Sequence, residues 1–313
     1  MAEQLYQRDV YGKTLVELGK INKDIVVLDA DLSSSTRTGI FAKEFPERFF
    51  NLGVAEQNMM AASSGLASCG KTVFVSTFAI FASGRAWDQV RNSICYSNLN
   101  VKIVATHAGV SVGPDGASHQ ALEDIALMRV IPNMNIIVPC DGPQTKEAVT
   151  IAANTKGPFY IRLGRPKVPT LDNKGKFELG KAQVLTEGND IAIIACGIMV
   201  AEALIAVENL KKQGVSARLI NMHTLRPLDT QVILKAAKET KGIIVCEEHT
   251  ITGGLASSVD EVVAENCPTR VMRIGIRNRF GQSGEPAELL KEYNLTSQDI
   301  EKAALNCFSN CGH

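Results

Sequence analysis

The sequence predicts an α/β protein of two domains, each built on a mostly parallel sheet with helices on its faces. Strand-like and helix-like segments alternate along most of the 313 residues, and such alternation is typical of parallel sheets. A stretch rich in Pro, Gly and Lys at 166–188 interrupts this alternation. The length also suits two domains of ordinary size.

Each element follows from a local pattern, because short apolar runs predict strands and longer amphipathic runs predict helices. In the first half the predicted strands are 24–31, 71–78, 100–107, 134–140 and 159–165, and the predicted helices are 54–70, 84–97, 121–131 and 144–155. In the second half the predicted strands are 190–197, 216–228, 243–249 and 269–276, and the predicted helices are 199–214, 230–242, 253–266 and 297–308. The low apolar density of 166–188 predicts a linker with a short ribbon between the two blocks.

Charge and composition exclude several classes of partner. Lys+Arg and Asp+Glu both number 33, so no net field favours nucleic acid or an anionic membrane. The N-terminus lacks an apolar signal core, and no apolar run reaches membrane-spanning length. We therefore expect a cytoplasmic protein.

Eight cysteines are scattered along the chain, and seven of them lie in or beside apolar segments. This distribution is typical of small buried side chains in a reducing compartment. The tail CFSNCGH brings Cys307, Cys311 and His313 together, which loosely resembles a metal site, but a fourth ligand is not evident. An ordinary chain terminus is the alternative.

Polar and aromatic residues follow several predicted strands, where ligands bind in open parallel sheets. They are Asp31–Ser35, Phe78 with Phe81, the run from His107 to His119, and Arg165. We expect these groups to lie along one edge of the first sheet.

Each of these groups has a structural and a functional interpretation. Glu56, early in a helix, either stabilises that helix or faces a pocket. Phe78 and Phe81 either pack in the core or hold a flat heterocycle. His107, Asp115 and His119 share a glycine-rich loop that can approach a ligand closely. Arg8, Arg37 and Arg165 are surface charges or partners for a substrate phosphate.

Five motifs in order resemble the transketolase family. They are GVAEQNM (53–59), STFAIF (76–81), GVSVGPDGASHQ (109–120), the LGR–P turn (163–166), and a terminal block with LRPLD and EEHTITGG. The resemblance covers essentially the whole chain but only the C-terminal half of that enzyme. It implies a thiamine-diphosphate pyrimidine-binding domain at 1–170, a linker at 171–188 and a transketolase C-terminal domain at 189–313.

The resemblance also implies a cofactor and a partner. Family members bind thiamine diphosphate through Mg²⁺ (or Ca²⁺), using a Gly-Asp-Gly motif and a downstream asparagine, and this sequence has no GDG. Hard oxygen ligands are needed for such an ion, so we expect no metal ligand here and a separate N-terminal transketolase subunit that carries the GDG…N motif. A heterotetramer of two such pairs is the implied assembly.

Residue roles carry over by position in the motifs. Glu56 resembles the glutamate that hydrogen-bonds the aminopyrimidine, Phe78 and Phe81 resemble its aromatic pocket, and Asp31 resembles an acid near the cofactor. A tyrosine often stands where this chain has Gly84.

The substrate side carries over in the same way. His107 and His119 resemble histidines that move protons on the sugar, and Asp115 resembles the group that reads the C2 hydroxyl. Arg8, Ser35 and Arg165 resemble the phosphate site of a sugar phosphate, with Arg162 as an alternative to Arg165.

The predicted activity is transfer of a two-carbon ketol unit from a ketose phosphate to an aldose phosphate. Two related alternatives remain open: the C-terminal half of a deoxyxylulose-phosphate synthase, and the β subunit of a 2-oxo acid dehydrogenase. A subunit that binds a partner without catalysis is a third.

Overall fold

The computed structural model describes residues 3–172 and 175–309 and confirms an α/β architecture with two main sheets. The strands are β1 (Gln4–Tyr6), β2 (Ile25–Asp29), β3 (Phe49–Asn51), β4 (Thr72–Phe78), β5 (Val101–Thr106), β6 (Asn135–Ile137), β7 (Phe159–Arg162), β8 (Lys167–Pro169), β9 (Gln183–Thr186), β10 (Ile191–Ala195), β11 (Ala217–Asn221), β12 (Thr224–Arg226), β13 (Ile243–Thr250) and β14 (Val271–Ile276).

Helices alternate with most of these strands. They are α1 (Gln7–Ile21), α2 (Ser33–Thr36), α3 (Gly39–Glu44), α4 (Glu56–Ser68), α5 (Trp87–Gln89), α6 (Asp124–Arg129), α7 (Gly142–Asn154), α8 (Met199–Lys212), α9 (Thr230–Glu239), α10 (Leu255–Asn266), α11 (Pro286–Glu292) and α12 (Ser297–Ser309). None of the helices in the described ranges is long and apolar enough to cross a membrane.

The first sheet has seven strands in the order β12-β6-β7-β5-β4-β2-β3, and every neighbouring pair is parallel except β12 with β6. The second sheet has five strands in the order β14-β13-β10-β11-β9, with only β9 antiparallel. Strands β1 and β8 form a separate antiparallel pair. Strands β2, β4, β5 and β10 are buried at every position, as central parallel strands require.

Three segments differ from the sequence prediction. Residues 216–228 are not one strand: β11 ends at Asn221, and β12 then joins the first sheet. The predicted helix over 84–97 is instead one α turn between two π-helical turns, Phe81–Arg85 and Val90–Cys95. The predicted linker contains β9, which is hydrogen-bonded to β11 as an edge strand of the second sheet.

The hydrophobic core extends across both sheets. One buried cluster includes Val75 and Ile103 of the first sheet together with Ile194 and Val245 of the second. The predicted burial of cysteines is confirmed for Cys95, Cys140, Cys196, Cys246 and Cys307. Cys311 and His313, two members of the metal-like tail, lie outside the described residues.

Candidate functional site

The candidate site lies at the carboxyl-terminal edge of the first sheet. Strands β2, β4, β5 and β7 are parallel neighbours, so the residues that follow them meet at one edge. This confirms the predicted placement of the strand ends. Strand β7 ends at Arg162, and Arg165 follows in the next loop.

Two phenylalanines and two histidines form a single aromatic cluster at this edge. The rings of Phe78 and Phe81 are stacked, with centroids 5.9 Å apart. His107 stacks on Phe78 at 3.9 Å, and His119 meets Phe81 edge-on at 5.4 Å. The structure thus brings together side chains that are up to 41 positions apart in the sequence (from 78 to 119).

His107 is held by a hydrogen bond on each ring nitrogen. Arg8 Nη1 lies 3.3 Å from Nε2, and Thr106 Oγ1 lies 2.9 Å from Nδ1. A guanidinium can only donate, so Nε2 accepts and the ring proton sits on Nδ1. Burial, reinforced by the charge of Arg8, lowers the pKa of His107 to about 3. The imidazole is therefore neutral at physiological pH.

Glu56 begins α4 and has its carboxylate almost fully buried, at 5% side-chain exposure. Arg85 Nη1 donates to Glu56 Oε1 at 3.0 Å. The same guanidinium lies over the face of Phe81, 4.1 Å from the ring centroid. Glu56 and Phe81 therefore hold the guanidinium of Arg85, a flat group with N–H donors, between them.

Arginines gather beside the histidines. Arg8 Nη1 donates to Ser35 O at 3.4 Å, and Arg37 Nη1 donates to Ser34 O at 3.0 Å. Arg165 forms an ion pair with Asp115 at 3.4 Å. The predicted residues Arg8, Ser35, Asp115 and Arg165 thus lie around the loop of residues 107–120 and the loop that follows β2, where guanidinium groups can pair with an anion.

Asp29, which the sequence analysis missed, holds the loop after β2. Its carboxylate accepts hydrogen bonds from Leu32 N at 2.6 Å, Thr36 Oγ1 at 2.7 Å and Thr38 Oγ1 at 2.8 Å. Burial raises the pKa of this carboxyl. Its position as the last residue of a strand, followed by a run of Ser and Thr, was the available signal.

Asp31 is less closely tied to the cluster. It is exposed, has a left-handed backbone (φ 64°), and exchanges hydrogen bonds with Asn51. Asp31 therefore joins the ends of β2 and β3 at the same edge.

Arg162, the alternative to Arg165, faces the protein interior. Its Nε donates to Asp124 Oδ2 at 2.8 Å, and its Nη2 donates to Glu248 O at 2.9 Å. With a side chain only 6% exposed, it is part of a buried contact between the two halves of the chain. These interior contacts favour Arg165 over Arg162 as the residue of the predicted phosphate site.

Comparisons with known proteins identify this arrangement. The family model described as "Transketolase, pyrimidine binding domain" matches residues 3–170. The model described as "Transketolase, C-terminal domain" matches residues 180–300. The chain belongs to the transketolase family.

Two relatives show how the chain compares with others of this family. It is 52% identical to a "Putative transketolase C-terminal section" of Methanocaldococcus jannaschii, over 94% of both chains. It is 39% identical to the transketolase of Homo sapiens, covering 97% of this chain and 49% of that protein. The chain therefore corresponds to the C-terminal section of transketolase and spans about half the length of the human protein.

Solved structures give the same fold. A "Split gene transketolase, inactive beta4 tetramer" is similar with a TM-score of 0.91 and 50% identity, over 97% of this chain and 99% of that one. A transketolase from Pichia stipitis in complex with a sugar phosphate has a TM-score of 0.84 and 25% identity, over 98% and 46% of the two chains. Both sheets of this chain therefore belong to the transketolase architecture.

Membership of this family implies thiamine diphosphate, and the observed cradle fits the aminopyrimidine part of that cofactor. The Arg85 guanidinium stacks on Phe81 and donates an N–H to Glu56, so it stands in for a flat ring with polar nitrogens. Its side chain is 53% exposed and can move into solvent. A Cβ at Gly84 would meet open space.

Metal ligands are not clustered in the part of the chain that the structure describes. Among those residues, no group of three or more His, Cys, Asp or Glu side chains is arranged to hold an ion.

Proposed function

We propose that this chain is the C-terminal subunit of a two-chain transketolase, which transfers a two-carbon ketol unit from a ketose phosphate to an aldose phosphate. The observation that carries the proposal is the pair of Glu56 and Phe81, which holds the planar Arg85 guanidinium, with the ring of Phe78 stacked beside Phe81. Family membership supports the reaction class, and this geometry supports a role for these residues in binding the cofactor.

In this proposal Glu56 accepts a hydrogen bond from the aminopyrimidine, while Phe78 and Phe81 pack against that ring. Bound thiamine diphosphate supplies the carbanion chemistry with which a C–C bond beside a carbonyl breaks and re-forms. In this proposal Asp31, which lies at the same sheet edge, is the acid near the cofactor. Arg85 withdraws from Glu56 when the cofactor enters.

His107 and His119 serve the sugar. A neutral imidazole accepts a hydrogen bond at one nitrogen and donates one at the other, which suits the hydroxyl and carbonyl groups of a sugar. Burial keeps His107 in this neutral form, with its pKa at about 3. Asp115 reads the configuration of the C2 hydroxyl in this proposal.

Arg8, Ser35 and Arg165 bind the substrate phosphate. Guanidinium groups pair with such anions through charge-assisted hydrogen bonds. Arg8 contacts both His107 and the backbone of Ser35. It therefore connects the histidines with the proposed phosphate site.

The missing half of the site comes from a partner. We propose an N-terminal transketolase subunit that carries the GDG…N motif, holds Mg²⁺ or Ca²⁺, and binds the diphosphate, in a cytoplasmic heterotetramer. The proposal is supported by coverage of only 49% of human transketolase. The split gene transketolase of 50% identity is an "inactive beta4 tetramer", which also supports the need for a second subunit.

The terminal anion of the sugar has a second candidate. A subunit of 6-deoxy-6-sulfo-D-fructose transketolase from Clostridium sp. is 40% identical over 96% of this chain and 94% of that one. Arginines bind sulfonate as well as phosphate oxygens. Assays should therefore include fructose 6-phosphate and its 6-sulfo analogue as separate donors.

The test is reconstitution of this chain with its N-terminal partner, Mg²⁺ and thiamine diphosphate. Glu56→Gln should lower ketol transfer at least about 100-fold, because an amide cannot provide the charged acceptor. The matched control is Glu47→Gln, on an exposed side chain that pairs with Arg48. Full activity of Glu56→Gln, or pyruvate consumption in place of ketol transfer, would contradict the proposal.

A further inference from the structure

The loop that carries the two site histidines has little regular structure of its own. We call residues 107–120 the histidine loop. It contains one 3₁₀ turn, Val110–Val112, and its ends are joined by the hydrogen bond from Gly109 N to Ala121 O at 3.0 Å. Such a loop needs outside contacts to fix the positions of His107, Asp115 and His119.

Glu248, at the end of β13 in the second sheet, provides one of these contacts. Ser111 N donates to Glu248 Oε1 at 2.6 Å, and Glu248 is only 4% exposed. The carboxylate packs directly on Gly109, which has a left-handed backbone (φ 81°) and no room for a Cβ on that side. Two neighbouring loop residues are therefore fixed by one side chain of the C-terminal domain.

The residues beside Glu248 bind the base of the same loop. Thr250 N donates to Leu122 O at 2.7 Å, and Arg162 Nη2 donates to both Glu248 O, at 2.9 Å, and Ala121 O, at 3.3 Å. These bonds connect β13 to the point where the histidine loop ends. The backbone around Glu248 is thus fixed by the hydrogen bonds of Arg162 and Thr250.

A second segment of the C-terminal domain covers the far side of the loop. Gln120 Nε2 donates to Gln282 O at 2.8 Å and to Val110 O at 3.1 Å. Ser283 Oγ lies 2.6 Å from where a Cβ at Gly116 would stand. The histidine loop is therefore enclosed between β13 and residues 282–286.

We propose that Glu248 is a positioning residue, which fixes the histidine loop from the C-terminal domain and thereby sets the positions of His107 and His119. Loss of its acceptor leaves the buried Ser111 N–H without a partner, which favours a shifted loop. A shift of about 1 Å at a reacting group can lower turnover about 100-fold. The kinetic part of this inference rests on the proposed function.

The experiment compares Glu248→Ala with Glu248→Gln, since the amide keeps an acceptor oxygen of the same reach. In the isolated chain, hydrogen exchange of amides 109–120 should be at least about ten-fold faster in Glu248→Ala and unchanged in Glu248→Gln. In the reconstituted enzyme, kcat should fall about 10- to 100-fold in Glu248→Ala. The Kd for thiamine diphosphate should stay within about two-fold of wild type in both variants.

A matched control is Glu261→Ala, which removes the ion pair between Arg129 and Glu261. This ion pair also joins the two halves of the chain, but the Glu261 side chain is 60% exposed. It should change neither exchange nor kinetics. If Glu248→Ala does not fold, Glu248→Asp withdraws the carboxylate by one methylene and gives the same comparison.

Two results would overturn the inference: wild-type exchange and kinetics in Glu248→Ala, or equal losses in Glu248→Ala and Glu248→Gln. Failure of the proposed function is separate from both. In that case the wild-type pair would show no ketol transfer, while the exchange of residues 109–120 would still respond to Glu248→Ala.

Discussion

At the residue scale, the protonation state of His107 follows from its two neighbours. Arg8 occupies Nε2 as a donor, and Thr106 accepts from Nδ1. A second proton on the ring would have no acceptor and would be buried beside a guanidinium. The residue that appears from the sequence to be an ordinary titrating histidine is therefore a fixed neutral tautomer.

We predict that His107 does not titrate between pH 5 and pH 8, because its pKa is about 3. In Arg8→Gln the pKa should rise but stay below the usual 6.5, since burial is the larger cause and remains. Histidine ring NMR signals in the isolated chain measure both values. A His107 pKa near 6.5 in the wild type would contradict this account of the site.

Arg85 shows how one residue escapes sequence analysis. It lies four positions after the end of the STFAIF motif at Phe81, yet an arginine in a predicted helix gives no sign of its target. Only the π-helical turn over Phe81–Arg85 brings its guanidinium over Phe81 and onto Glu56.

At the element scale, a buried lysine joins β5 to the end of α7. Lys102 is fully buried, and its Nζ donates to Thr155 O and Gly157 O, each at 2.7 Å. Burial lowers its pKa to about 7. These two carbonyls follow the last turn of α7, so Lys102 caps that helix end from the sheet.

We predict that Lys102 makes stability rise with pH between about 7 and its unfolded value of 10.5. In that window the unfolded chain holds a proton that the folded chain has lost, so the free energy of unfolding increases with pH. Lys102→Met should remove this slope, which is at most about 1.4 kcal/mol per pH unit. Urea unfolding at pH 7.5, 8.5 and 9.5 compares the two proteins, and parallel pH curves would contradict the prediction.

The regular elements were predictable where one pattern dominates. Strands such as β2 and β10 are short runs of Ile, Val, Leu and Ala, and burial on both faces confirms them. Strand β12 was not separable from β11, because its partner β6 lies in the other half of the chain and adds no local signal. Hydrophobic periodicity likewise cannot separate α turns from the π turns at 81–95.

The candidate site was only partly predictable. The rule that ligands bind at the carboxyl ends of parallel strands places the predicted site residues on one edge of the first sheet. Their spacing in the sequence, however, leaves Arg162 and Arg165 as alternatives. Only tertiary structure separates them, since Arg162 pairs with Asp124 in the interior. Glu248 was not predictable as a contact of the histidine loop, because 137 positions separate it from Ser111.

At the scale of the whole molecule, the two sheets share a hydrophobic core, and the second half of the chain contributes one strand to the first sheet. The largest buried cluster draws residues from both, and β12 crosses from the second half into the first sheet. Buried contacts of this kind make unfolding of one half costly for the other.

We predict that the chain unfolds in a single cooperative thermal transition, although its sequence matches two separate domain families. Scanning calorimetry of the isolated chain should show one peak whose calorimetric and van't Hoff enthalpies agree. A chain shortened to residues 1–188 should fail to give such a peak, since it lacks β12 and the second sheet. Two resolved peaks in the full chain would contradict the prediction.

The crossing of β12 also bears on how the protein would respond to a protease. A single cut between β8 and β9 would leave every strand of both sheets intact, and the later fragment would still supply the outermost strand of the earlier fragment's sheet. The two pieces would migrate separately on a denaturing gel yet elute together from a sizing column.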